Sequence, residues 1–119
     1  MTNQETNTYL AERLFGYEIV EQEDECEQLE YLWRKPVGHP SWCEYSYIKP
    51  IDYIANWHLV VEKLGKEITI DPPLEDFGWS VDILDGHVWF YGSGHYKTCG
   101  EAVCRAVVEY LKSKEEVGG

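Results

Sequence analysis

The clearest pattern of hydrophobic positions lies near the end of the chain, after Thr98. Apolar residues recur there at helical spacing and form one face. Thr98 and Glu101 have the spacing of a capping box, in which each side chain bonds the other residue's backbone amide. The sequence therefore predicts a helix that starts at Thr98 and buries one continuous stripe, made of Val103, Ala106, Val107, Tyr110 and Leu111.

Two shorter stripes predict two further helices. The first spans about residues 7–15 and is followed by Gly16, a residue type that commonly follows the last helical turn. The second begins after Pro50, with Asp52 as its N-cap and Gly65 as its end. The apolar positions are Leu10, Ala11 and Leu14 in the first stripe, and Ile54, Trp57, Val60, Val61 and Leu64 in the second.

Alternation of apolar and polar residues predicts the strands. One strand begins near Tyr17 and Ile19, resumes over residues 29–34 after an acidic segment, and is followed by a loop rich in proline and glycine over residues 36–40. "KEITI", residues 66–70, predicts a short strand that Pro72 ends.

The clearest hairpin is "FGWSVDILDGHVWFY", residues 77–91. Asp85-Gly86 is the dipeptide expected in a two-residue type I′ turn. The return strand, residues 87–91, is apolar at nearly every position, which predicts a central strand covered on both faces.

This order of elements predicts an α+β fold. We expect a mostly antiparallel sheet packed by helices in a small α/β sandwich, with the order α-β-β-α-β-β-β-α. The sequence contains no internal repeat and no linker that would divide it, so its 119 residues predict a single domain over residues 1–119.

Three stretches, in order, resemble the phage ABA-sandwich domain family: "YLAERLFGYEI", "ANWHLVVEKL" and "AVCRAVVEYL". The family opens with a short helix ending in Leu-Gly-Trp, continues with an Ala-Trp-x-Val-Val-Glu-Lys-Leu helix, and closes with a helix containing Cys-Arg-Ala. The residues that match are Trp57, Val60, Val61, Glu62, Lys63, Leu64, Cys104, Arg105 and Ala106.

The resemblance has departures and limits. Phe15-Gly16-Tyr17 stands in place of Leu-Gly-Trp, Asn56 in place of a small apolar residue, and the segments 21–30 and "GSGHYKT" have no counterpart. The resemblance implies a phage or prophage origin and a sandwich of helices and sheet. It implies no active site, because the family carries no established chemistry.

The charge of the chain restricts its partners. Ten basic against 22 acidic residues give a net charge of −12, which repels nucleic-acid backbones and anionic membranes. We therefore expect no direct binding to nucleic acid or membrane. "EQEDECEQLE", residues 21–30, predicts an exposed acidic turn, which is either a solvated surface or an imitation of nucleic acid for a basic partner.

The cysteines and the N-terminal residues predict a cytoplasmic protein, and the phage resemblance implies that the cytoplasm is that of the host cell. Residues 1–15 lack the apolar core of a signal peptide, and no apolar run is long enough to cross a bilayer. Cys26, Cys43, Cys99 and Cys104 are then expected to be free thiols.

The glycine-rich loop before the last helix is the candidate ligand site. Amides at the helix start favour an anion, Lys97 adds a positive charge, and the ordering of a P-loop is absent. Trp89 and Tyr91 share a strand face that leads into the loop, so a flat ring stacked there would place its phosphates at the helix. The predicted ligand-binding residues are Trp89, Tyr91, Gly92, Ser93, Gly94, His95, Lys97 and Thr98. The alternative is that the glycines form only a connection.

No residue pattern predicts catalysis, a metal or a cofactor. Cys99 lies in the first helical turn, where the helix dipole lowers a thiol pKa, and His95 precedes it, but no acid is spaced to orient that histidine. The candidate metal ligands lack a Cys-x2-Cys knuckle. They are His39, Cys43, His95, Cys99 and Cys104. We therefore expect a protein that is not an enzyme.

Three functions remain open from the sequence. The first is a non-enzymatic phage accessory protein that sequesters a nucleotide-like molecule, such as a host defence signal. The second is an acidic protein-binding inhibitor or nucleic-acid mimic. The third is an accessory interaction module for a host or phage protein, with no small-molecule site. Five Trp, nine Tyr and three Phe predict leftover apolar patches, so we also expect a homo-oligomer.

Overall fold

The fold was analysed in a computed structural model that describes residues 2–23, 29–36, 45–73, 78–92 and 95–118. The described residues form helices and strands in the order α-β-β-β-α-β-β-β-α. Their bounds are α1 Asn3–Arg13, β1 Glu18–Glu23, β2 Leu29–Pro36, β3 Tyr45–Ile48, α2 Trp57–Leu64, β4 Glu67–Asp71, β5 Ser80–Asp85, β6 Val88–Tyr91 and α3 Cys99–Gly118. The predicted α+β class is confirmed, with one strand more than the sequence indicated.

The strands form two antiparallel sheets. Sheet A has the order β1-β2-β3 and sheet B the order β4-β5-β6. The strand missing from the predicted order is β3, whose four residues, "YSYI", are too short to show a reliable alternation. The acidic turn that we predicted over residues 21–30 falls largely on residues 24–28, which lie outside the described residues.

Helix α3 is the centre of the core. It packs against β5, α1 and α2, so its buried residues occupy most of its circumference. Each fully buried Val or Leu side chain contributes about 1.5–3 kcal/mol to folding. The predicted stripe is confirmed, except that Leu111 is only partly buried. The buried residues of α3 are Ala102, Val103, Cys104, Ala106, Val107, Val108 and Tyr110.

Tyr53 connects three elements at the other side of the core. Its ring is fully buried and stacks on Phe15, at 4.5 Å between centroids, and on Trp33 of β2, at 5.7 Å. Its backbone N–H donates to Asn7 Oδ1 of α1 at 2.9 Å, and its carbonyl accepts a hydrogen bond from Cys104 Sγ of α3 at 3.3 Å. Tyr53 therefore joins sheet A to both helices.

The helix ends follow local capping chemistry. Helix α1 begins earlier than we predicted because Thr2 and Glu5 form a capping box, with the Glu5 N–H donating to Thr2 Oγ1 at 3.1 Å. Helix α2 begins at Trp57 and not after Asp52, because the Asp52 carboxylate caps a preceding turn and accepts from the Ile54 N–H at 3.1 Å. Helix α2 ends at Gly65, as predicted, whereas α1 ends at Arg13 with Leu14 as its C-cap, two residues earlier than predicted, and Gly16 follows with a φ of 75°.

Two predictions about the hairpin are wrong. The two-residue turn is Gly86-His87 and not Asp85-Gly86, because Asp85 pairs with Val88, and Gly86 takes the positive φ of 67°. Strand β6 is an edge strand of sheet B and not a central one. Two of its apolar residues are left largely uncovered by the described part of the chain, since Val88 and Tyr91 are 69% and 68% exposed.

We predict that the ring of Tyr53, and not its hydroxyl, stabilises the fold. The hydroxyl is buried and has no hydrogen-bond partner among the described residues. Tyr53→Phe keeps the stack and should change the free energy of unfolding by less than about 1 kcal/mol, whereas Tyr53→Ala should lower it by about 3–5 kcal/mol. Urea unfolding of both variants measures the difference. A loss of several kcal/mol in Tyr53→Phe would contradict the assignment.

Candidate functional site

The predicted site residues divide between strand β6 and the segment before α3. Trp89 and Tyr91 belong to β6, and Gly92 follows directly. His95, Lys97 and Thr98 precede α3. Ser93 and Gly94 lie outside the described residues.

Trp89 and Tyr91 share one face of sheet B, as predicted. They lie opposite Leu84 and Asp82 of β5, on the face that points away from α3. We call this the outer face, because the alternate residues Val81 and Ile83 of β5 point into the core. Trp89 is 36% exposed on this face and Tyr91 is 68% exposed.

Gly92 is explained by packing inside the protein. Its N–H donates to the Val81 carbonyl at 3.0 Å, and a Cβ at this position would come within 2.5 Å of the same oxygen. The missing side chain therefore lets β6 approach β5, and the space is not left for a ligand.

The segment after Gly92 returns to sheet B. Trp79 and Tyr96 form a two-hydrogen-bond bridge, with N···O distances of 2.7 and 2.9 Å. The step from Val81 to Trp79 is two positions, while the step from Gly92 to Tyr96 is four. The regular pairing along this edge is therefore interrupted between Gly92 and Tyr96.

The start of α3 offers less room for an anion than the sequence indicated. The Glu101 N–H donates to Thr98 Oγ1 at 3.1 Å, so one of the expected free amides is already bonded. A Cβ at Gly100 would fall 1.9 Å from the Ile54 carbonyl oxygen, so the first turn packs against backbone. Burial raises the pKa of the Cys99 thiol, contrary to the lowering that we expected from the helix dipole.

The outer face of sheet B is acidic. Residues at alternate positions of the three strands point to this face, and they include three carboxylates and no basic side chain. Such a face favours a cationic group over a phosphate. The outward positions are Glu67, Thr69 and Asp71 of β4, Ser80, Asp82 and Leu84 of β5, and Trp89 and Tyr91 of β6.

The backbone of β6 has unused hydrogen-bonding groups at the edge of sheet B. Antiparallel pairs alternate between hydrogen-bonded and non-hydrogen-bonded pairs. Because the Gly92 N–H donates to Val81, the hydrogen-bonded residues of β6 are Val88 and Phe90. The N–H and C=O groups of Trp89 and Tyr91 therefore point away from β5, toward the open edge.

A pocket that sequence reasoning missed lies on the other face of β6. It has a volume of about 410 Å³ and is bounded by Asp85, Val88, Trp89, Phe90, Tyr110, Ser113 and Lys114. The Asp85 carboxylate pairs with Lys114 and, at 3.1 Å, with Lys66. These lysines and the Tyr110 hydroxyl hold the pKa of Asp85 well below its usual range. Residues so far apart along the chain leave no local sequence signal.

A second groove of about 510 Å³ lies where α1 meets sheet A. The α1 side is polar, with Asn3, Gln4, Asn7 and Thr8, and the opposite side is mainly apolar. Asn7 is already engaged, since its amide donates to Asp52 Oδ1 at 3.3 Å and its Oδ1 accepts from Tyr53. Sequence reasoning did not indicate this groove either, because it combines four separated segments: α1, β1, β2 and residues 50–54.

Other chemistry finds little support in the described part of the chain. His95 Nδ1 lies 3.4 Å from the Gly78 carbonyl oxygen, and burial raises the pKa of Cys104 to about 12. Within the described ranges, no three His, Cys, Asp or Glu side chains gather as metal ligands would. His39 and Cys43 lie outside those ranges. None of the described helices has the length and apolar character needed to cross a bilayer.

Comparisons with protein-family models, curated proteins and solved structures gave no match. The resemblance to the phage ABA-sandwich domain therefore stays a prediction, and the chemistry of the surfaces described above carries the functional argument.

We predict that Gly92→Ala destabilises the fold. The new Cβ would press on the Val81 carbonyl, and such overpacking costs about 1–3 kcal/mol. Urea unfolding measures the loss, with Thr69→Ala on the exposed face of β4 as a control that should change stability by less than about 0.5 kcal/mol. Equal stability of Gly92→Ala and wild type would show that the glycine is not required for packing.

We also predict that Asp85 stabilises the fold in a pH-dependent way. Because its folded-state pKa is lowered, its contribution is complete above the unfolded-state pKa of about 3.9 and is lost as the pH falls through the folded-state value. The difference in the free energy of unfolding between wild type and Asp85→Asn should be largest near pH 7 and shrink below about pH 4. Urea titrations across this range test the trend, and a difference independent of pH would contradict it.

Proposed function

We propose that this chain is a non-enzymatic binding protein whose β6 edge captures an extended, basic segment of a partner protein as an added strand. The sequence left open an acidic protein-binding function and based it on residues 21–30; we assign a function of this kind to Trp89 and Tyr91 of β6 instead. One observation carries the proposal: three of the five exposed large apolar side chains among the described residues belong to this single four-residue edge strand.

The character of β6 supports strand addition. Natural edge strands are usually protected by charged residues, proline or bulges, because their open backbone groups recruit other strands. "VWFY" contains no charge and no proline, and the backbone N–H and C=O groups of Trp89 and Tyr91 point toward the open edge of sheet B. Main-chain hydrogen bonds supply affinity in this mode of recognition, and side chains supply specificity.

The charge supports a basic occupant. Carboxylates at Glu67, Asp71 and Asp82 share the outer face with the two aromatic rings, and the whole chain carries −12. A second copy of the chain would bring the same negative charge, so the field opposes self-association and attracts a basic segment. A second copy of the chain, paired through its own β6, is the competing occupant of this edge.

Sequestration of a nucleotide-like molecule is less well supported by the same surface. Asp82 lies opposite Tyr91, so an anion beside that ring would meet a carboxylate. The start of α3, where the phosphates were expected, is partly bonded and closely packed.

A phage origin, a cytoplasmic location and a host or phage protein as the partner complete the proposal. They rest on the resemblance and on the expected free thiols.

We predict that both the ring and the backbone N–H of Tyr91 contribute to binding. The probe is a capped nonapeptide of alternating Arg and Val, with affinity measured by isothermal titration calorimetry. Tyr91→Ala removes the ring and should weaken binding, while Tyr91→Pro also removes the outward N–H and should weaken it by about a further tenfold. Leu59→Ala, at an exposed apolar residue of α2, is the matched control and should bind as wild type does.

Raising the salt concentration should also weaken binding, because the attraction is between exposed charges. Equal affinity of wild type and Tyr91→Pro would refute strand addition at β6. Dimerisation of the wild type that Tyr91→Pro abolishes would instead assign the edge to a second copy of the chain.

A further inference from the structure

We infer that the captured segment alternates in character, with basic residues on the outer face of sheet B and an uncharged apolar residue on the α3 side, where it enters the pocket beside Val88. This inference rests on the proposed function and specifies which sequence the β6 edge selects.

The alternation follows from strand geometry. Successive side chains of a strand point to opposite faces of its sheet. A strand added to β6 therefore places every second side chain beside Trp89 and Tyr91, and the others beside Val88 and Phe90. The two sets meet different surroundings.

On the α3 side, the added strand meets an apolar pocket. Val88 is 69% exposed at its edge, and Phe90 packs against the Tyr110 ring with 5.7 Å between centroids. Ser113 forms part of the pocket wall and donates to the Tyr110 carbonyl at 2.7 Å. The volume of about 410 Å³ accommodates an aliphatic side chain.

The charges beside this pocket disfavour a basic side chain. Asp85 is the carboxylate in its wall, and it is already paired with Lys66 and Lys114. An arginine or lysine placed there would compete with two resident cations for one carboxylate. An apolar side chain requires no such exchange, and its burial beside Val88 is favourable.

On the outer face, the surroundings favour a cation. A basic side chain of the added strand would lie over the ring of Tyr91 or Trp89, in position for a cation–π contact. Asp82 lies on β5, two strand spacings from the added strand, or about 9.6 Å. An extended arginine that crosses the Tyr91 ring covers this separation and meets the carboxylate.

Three capped nonapeptides test the pattern. The first alternates Arg and Val, the second alternates Arg and Thr, and the third has the composition of the first with its Arg and Val residues in separate blocks. Threonine has nearly the shape of valine but carries a hydroxyl, so it isolates the apolar contribution. We expect the Arg/Val peptide to bind about tenfold more tightly than either of the others.

A pocket variant locates the effect. Ser113→Phe fills the pocket and excludes Val and Thr alike, so the Arg/Val and Arg/Thr peptides should bind it with equal affinity, at least about tenfold more weakly than the Arg/Val peptide binds wild type. Ser113→Ala keeps the pocket open and should retain the preference. Circular dichroism checks that both variants fold, and the comparison among peptides on the wild type remains decisive if Ser113→Phe does not.

The outcomes separate the two proposals. If the peptides bind and respond to Tyr91→Pro but the Arg/Val and Arg/Thr peptides bind equally well, the alternation is wrong and strand capture stands. If the preference for Val survives in folded Ser113→Phe, the pocket is not its source and the inference fails. If no peptide binds, both proposals fail together.

Discussion

The stacking of Tyr53 between Phe15 and Trp33 is the contact on which the arrangement of the two sheets depends. Among the described residues, the largest helix contact of sheet A is that of α1 with β1. Tyr53 adds a second connection, because its ring contacts β2 while its backbone bonds α1 and α3. Two separate contacts fix the orientation of sheet A, whereas a single contact would let the sheet rotate. The buried Tyr53 ring therefore determines the orientation of sheet A.

The position of α3 then decides which surfaces stay open. This helix is covered by β5, α1 and α2, and it covers only one face of sheet B in return. The outer face of that sheet and the β6 edge receive no helix from the described part of the chain. An apolar strand is thus left exposed by the same packing that completes the core, and that is why the candidate site lies there.

The sequence predicted the elements whose partners are local. The stripe of α3, the glycine that ends α2, and the hairpin region all follow from spacing that a single segment carries. Prediction from the sequence failed where a feature depends on another segment. The apolar run of β6 indicates a strand to be covered, but it does not show whether the covering residues belong to the same chain. Likewise, Gly92 was predicted to leave room for a ligand, but the Val81 carbonyl takes that room. The Asp85 cluster joins Lys66, Tyr110 and Lys114 from separate elements, so spacing could not find it.

An unprotected apolar edge normally invites aggregation, and net charge is the feature of this chain that counters it. Charges placed on β6 itself would protect the edge, but they would also close it to every partner. A charge of −12 spread over the molecule acts differently, because it repels identical copies while attracting basic segments. Negative charge over the surface, combined with an uncharged edge, therefore converts a general tendency to pair into a selective one. Under the proposed function, the acidic composition and the exposed strand are two parts of one recognition surface.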